Sequence, residues 1–210
     1  MPEKLTWSGV VAAVQPRIRL LRSFDQRHHS YMGYALLVEG AIGGSASRFW
    51  VGVGKALHAK YSVQAGDTAE GSCVAVQDPN LEWVEYYRVS GFTVIARRPD
   101  GVPRPPPWLG VPPALEVYRE RGHRRLAAQT YEGSCVPCIW GSRMAVQMII
   151  DQWDPSKQKF RQETFCYGPK SCGLYRAGPP RKVPGRKGMI WTEEDRVDDE
   201  ATSRRSGDEQ

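Results

Sequence analysis

The sequence contains no apolar run near the roughly eighteen residues that a membrane-spanning helix requires. Its opening stretch, Met1 to Trp7, lacks the charged-then-apolar layout of a secretory signal. From these two absences we expect a cytoplasmic protein with no membrane partner, whose cysteines stay reduced. Catalytic signatures are also missing. There is no GxSxG, HExxH or Walker-type loop, and no GxGxxG following a strand. Gly52-Val-Gly54-Lys55 carries too few glycines, and no following Ser or Thr, for a phosphate loop. Histidine is scarce: His28 and His29 have no acid at helical spacing, His58 reads as a packing or solvent-facing residue, and His123 falls in a basic cluster. We therefore expect a protein that is not an enzyme.

Cysteine is sparse but patterned. Of five, four form two close pairs, Cys135-Val-Pro-Cys138 and Cys166-Tyr-Gly-Pro-Lys-Ser-Cys172, with 27 residues between them. Two short thiol-bearing turns joined by a hairpin supply four tetrahedral ligands, the donor set that structural zinc takes. Between the pairs, 145–153 reads as a strand, 154–157 as a turn and 160–165 as a returning strand, which would bring the two turns together. This stretch resembles a four-cysteine zinc ribbon, with Cys135, Cys138, Cys166 and Cys172 holding a structural zinc. Two disulfides or four idle thiols are the alternative, disfavoured by the lack of a secretory signal. So small a unit buries little apolar surface, and below roughly 40 residues a metal or disulfides usually supply the missing stability. Cys73 lies inside a strand-like run and reads as a small core residue.

Sixteen prolines and 21 glycines argue against long helices, and apolar content of 40% is enough for a core. The fold class is mainly β. Strand-like runs cover 6–22, 31–39, 48–53, 68–76 and 84–97, with a short helical phrase at 55–61 and loops expected at 22–30 and 40–47. Within the first run, Ile18 and Leu20 should face one side and Arg17 and Arg19 the other, with Gly9 or Pro16 marking a bend. Five strands with one helix between the third and fourth resemble an OB-fold barrel over residues 1–98. A five-stranded barrel of the SH3 type would lack the helix.

Seven prolines between Pro99 and Pro113 mark a spacer, and a brief helix over 114–121 ends at Gly122. The expected division is therefore barrel at 1–98, Pro-rich linker with short helix at 99–122, basic zinc-ribbon module at 123–191 and disordered acidic tail at 192–210. Charge follows this division. Residues 135–191 carry ten basic against three acidic side chains, whereas 192–210 carry three against eight. A basic module suits a polyanion, because neutralising phosphates releases condensed counterions.

Barrels of the OB type bind single strands through aromatic faces and a positive groove, so the resemblance implies single-stranded DNA or RNA as partner. Candidate contacts are Arg17, Arg19, Arg48, Trp50, Lys55 and Arg88 in the first half, and Arg176, Arg181, Lys182, Arg186 and Lys187 in the second. Trp50 stands out because its neighbours Phe49 and Val51 already claim the inward face. The rival reading is a protein-interaction or assembly adaptor with a structural zinc, recruiting a protein partner through the Pro-rich linker or the acidic tail. In the nucleic-acid reading, that tail would instead compete with the polyanion for the basic arm.

Overall fold

A computed structural model describes residues 2–23, 26–99 and 110–192. The chain is mainly β. Strand β1 (Lys4–Arg22) is the spine. Four more strands follow, β2 (Arg27–Ile42), β3 (Ser45–Val53), β4 (Thr68–Ala75) and β5 (Tyr86–Ala96), with helix α1 (Lys55–Tyr61) between β3 and β4. The order β1-β2-β3-β5-β4 returns to β1 and closes a ring of five strands. All ladders in the ring are antiparallel except the β3–β5 closure, where Val51 pairs parallel with Tyr86.

Alternation sets the faces. Val14, Ile18 and Leu20 point inward and are fully buried, joined by Leu36, Val38, Phe49 and Val51 from β2 and β3. The register of β1 with β2 shifts twice, between Val11 and Ala13 and between Arg17 and Ile18. Just before the first shift, Gly9 pairs with Gly40. A Cβ on Gly40 would sit 2.1 Å from the Ser8 carbonyl oxygen, so the two strands approach closely only because neither residue has a side chain.

The expected loops at 22–30 and 40–47 are largely strand. β2 begins at Arg27, and β2 and β3 continue to a two-residue turn, Gly43-Gly44, with φ of 56° and 84°. Both angles suit glycine, and this tight turn lets small residues with little strand propensity of their own complete the ladder.

The second half extends the same sheet. β7 (Gly141–Ile149) pairs parallel with β1 from Ile18 to Arg22, on the edge that β4 uses as far as Val10. β8 (Gln158–Cys166) pairs with β7, and the two-residue β6 (Arg124–Arg125) closes the far edge. Met144, Val146, Met148 and Phe165 join the ring's own core, so the hairpin does bury apolar surface. Trp153, expected at a strand end, lies instead in the turn. Asp151 accepts its backbone N–H at 3.1 Å, and the neighbouring Asp154 accepts that of Ser156.

Helix α2 (Leu115–Arg121) ends at Gly122, φ 68°, and buries Leu115 and Tyr118. The end of the proline run is fixed to the ring: Tyr34 donates to the Pro113 carbonyl at 2.7 Å, and His58 Nε2 lies 3.1 Å from that of Pro112. A small hairpin of β9 (Lys182–Pro184) and β10 (Ile190–Thr192) follows β8. No helix among the described residues is long and apolar enough to cross a membrane. Most of the proline run and the acidic tail after Thr192 lie outside the described residues.

Candidate functional site

The four paired cysteines line one cavity of about 10 Å³, room for a single ion or water and nothing larger. A helical turn at Ala128–Thr130 runs into a π turn at Tyr131–Cys135 and delivers the first pair; the end of β8 and the loop after it deliver the second. No disulfide joins any of the five cysteines. Among the described residues no group of three or more His, Cys, Asp or Glu stands ready to hold a metal ion.

Donors nevertheless point at two of the sulfurs. The Trp140 backbone N–H points at Cys138 Sγ at 3.4 Å and that of Gly168 at Cys166 Sγ at 3.3 Å, with an Arg124 guanidinium nitrogen 3.9 Å from the latter. Without a cation, burial and then the neighbouring Cys166 and Cys172 push the Cys135 thiol up to about 11. Burial pushes Cys138 up to about 12 despite the N–H donors beside it. Buried sulfurs that resist ionising alone, with N–H donors already aimed at them, fit a divalent cation that would share their charge. Cys73 is separate and belongs to the main core.

A groove of about 420 Å³ lies on the other side of the first cysteine turn. Its floor is Ala12, Ala13 and Leu37 on the outer faces of β1 and β2. One wall carries Arg48 and Trp50 from β3; the other carries Tyr131, Glu132, Val136 and Pro137, with Arg143 from β7. Phe49 and Val51 are buried inward, which leaves the half-buried Trp50 on the outer face, edge-on to Trp83 at 4.9 Å. The Arg143 guanidinium lies 5.3 Å from the Tyr131 ring and 6.0 Å from the Trp83 ring. Arg48 pairs with Glu39 at 3.2 Å, and Arg143 pairs with Glu132. Such exposed pairs are worth about 1 kcal/mol at most, so an arriving phosphate can take either guanidinium at little cost.

Of the residues singled out in the sequence, the groove gathers Arg48 and Trp50. Arg17 is committed elsewhere: its Nε lies 3.2 Å from the buried Glu82, and its guanidinium lies against Gly52, where a Cβ would be 2.2 Å away. Burial lowers Arg17 and raises Glu82, each partly offset by the other. Arg19 is half-buried on the same face. Lys55 lines a separate apolar cavity with Tyr34 and His58, and the exposed Arg88 lies over Tyr87.

In the second half, Arg181 bonds Glu163 and the Thr164 carbonyl at 2.7 Å each and lies over Phe165, a structural role. Arg176 is exposed and donates to the Gly173 and Tyr175 carbonyls. Lys182, Arg186 and Lys187 are exposed on the β9–β10 hairpin, with Arg186 over Trp153 at 5.0 Å. None of these lines the groove. Sequence reasoning missed Tyr131 and Arg143, which no local pattern links to β3. Comparison with known proteins returned no matching family model, no matching curated protein and no matching solved structure.

Proposed function

We propose that this protein binds single-stranded nucleic acid without catalysing a reaction, in the groove between the β1–β3 face and the first cysteine turn. The ring is read as an OB-like barrel, and Cys135, Cys138, Cys166 and Cys172 as the ligands of a structural zinc in a zinc-ribbon-like module. The observation that carries the proposal is the groove itself, where Trp50 and Tyr131 stand beside Arg48 and Arg143 over a floor of small and apolar residues. Aromatic faces take bases of any identity and guanidiniums take phosphates, which is the chemistry of sequence-tolerant single-strand binding. The strand order of the ring and the place of α1 agree with an OB barrel, a fold that uses this face for the purpose. Four thiolates would close the metal's coordination, leaving it a structural part with no open position for chemistry. Reduced thiols suit the cytoplasm.

The test is a titration of the full chain with oligothymidylate, RNA and duplex DNA over a salt series, with zinc measured on the same sample. Tighter binding of single strands that weakens steeply with salt supports the proposal. Equal or tighter binding of duplex contradicts it.

A second reading, an assembly adaptor, is favoured by one patch. Trp153, Met189, Ile190 and Trp191 are exposed, Trp153 to 79%, and apolar clusters of this kind mark protein contacts. Salt-insensitive binding to a protein, with no affinity for polyanions, would favour that reading.

A further inference from the structure

The first cysteine turn has two sides, and one buried amide holds it between them. Cys135 and Cys138 line the thiol cavity, while Val136 and Pro137, the residues between them, line the groove. Gln15 on β1, fully buried, reaches the same turn from the ring. Its Nε2 lies 3.0 Å from the Cys135 carbonyl oxygen, 2.8 Å from that of Val136 and 3.3 Å from that of Cys138. Two amide hydrogens are thus shared among three carbonyls. Its Oε1 accepts the Tyr131 hydroxyl at 2.7 Å. Burial holds the Tyr131 phenol above its ordinary range, so it stays a neutral donor. Gly141 leaves room for this clamp, since a Cβ there would lie 2.8 Å from Gln15 Nε2 and 2.6 Å from the Cys135 oxygen.

A buried glutamine in a strand is costly unless its amide is satisfied, and here every partner belongs to the cysteine turn or to the helical turn leading into it. Movement of the turn would therefore strand the amide and shift Tyr131, against which Arg143 lies in the groove wall. We propose that Gln15 is a positioning residue that ties the four-thiol cavity to the groove, so that metal occupancy sets the groove's affinity for a single strand. The proposal rests on the function proposed above.

The test uses the full chain, zinc-loaded or treated with a chelator, with two readouts: hydrogen exchange of amides 131–140 and affinity for oligothymidylate. In the wild type, chelation should speed exchange there and weaken binding by about tenfold, the scale of losing one or two net hydrogen bonds. Gln15→Met keeps the volume and removes the bonds. It should still take up zinc in the same ratio as the wild type, yet show fast exchange and weak binding with the metal present, and chelation should change its affinity by less than about twofold. Tyr131→Phe removes one bond, should weaken binding by about threefold, and carries the test where Gln15→Met does not fold.

Wild-type affinity in zinc-loaded Gln15→Met, or an equal chelation effect in variant and wild type, overturns the proposal. If the wild type binds no oligothymidylate, the function falls but the exchange data still decide. Zinc-dependent protection of 131–140 that Gln15→Met abolishes upholds Gln15 as the link, and protection that the variant retains overturns it.

Discussion

The ring and the cysteine turns are held together by different means. The ring encloses a large apolar core fed by every one of its strands, from Trp7 and Val11 on β1 to Phe92 on β5, and the β7–β8 hairpin adds Met144, Val146 and Phe165 to it. The turns share a smaller buried cluster of Leu126, Tyr131, Cys135, Cys138 and Cys166, with Val136, Trp140 and Tyr175 packed against it. Around that cluster the cohesion is polar and cationic. Arg121 lies over Trp140 at 4.2 Å and Arg124 over Tyr175 at 3.8 Å, and Gln15 clamps the backbone. Apolar burial holds the first region; the second is built around sulfur, and the proposed zinc would complete it. The groove lies on the seam, so its shape depends on both.

The largest expected effect falls on the ring. Leu36→Ala, at a fully buried position, should cost about 2–5 kcal/mol and lower the urea midpoint of the whole chain. A loss confined to one half of the molecule would show that the hairpin does not share the ring's core. Next in size is Cys138→Ser or chelation, which should release the proposed zinc and speed amide exchange over 131–140 and 166–176 while β1 and β2 stay protected. Equal loss of protection in both regions would end the distinction between them.

Acid should weaken both regions together. His58 packs against Tyr34 of the ring, and His123 lies between His29 of β2 and Phe165 of β8, edge-on to the latter. Burial lowers both, and His29, Arg27, Arg22 and Arg181 lower His123 further. With folded pKa values below the unfolded value, the unfolded chain binds protons first. The stability these groups contribute is therefore complete above about pH 6.5 and lost as pH falls below it. Calorimetry should show a lower Tm at pH 5.5 than at pH 7.5, and His123→Gln should flatten the dependence. The smallest effects are at the groove rim, where Arg48→Ala and Arg143→Ala should each weaken oligothymidylate binding a few-fold and reduce its salt slope by about 0.7. An unchanged slope would place the phosphates elsewhere.

Much of the ring was legible because alternation is a local signal. Ile18 and Leu20 inward, Phe49 and Val51 inward against Trp50 outward, and the seven residues of α1 can all be read from neighbours in the chain. The β2–β3 turn was not, because Gly40 to Ser47 has the composition of a loop and only ladder pairing, between β2 and β3 and of β2 with β1, makes it strand. The cysteine pairs announced themselves by spacing. The groove did not, since Tyr131 and Arg143 reach Trp50 only after β7 has docked on β1. Gln15 was invisible for the same reason: a polar residue in a strand gives no hint of partners 120 residues away. Arg17 and Arg181 looked like phosphate contacts by charge alone, but charge does not reveal that Glu82 and Glu163 stand beside them.

The most direct test of the central claim is a salt-series titration of the zinc-loaded full chain with oligothymidylate, followed by tryptophan fluorescence, in the wild type and in Trp50→Ala. The account predicts an affinity that falls linearly on logarithmic axes as salt rises, and a loss of about tenfold in Trp50→Ala from one missing stacking partner. No binding at about 50 mM salt, where phosphate contacts are strong, would contradict it, and so would an affinity indifferent to Trp50.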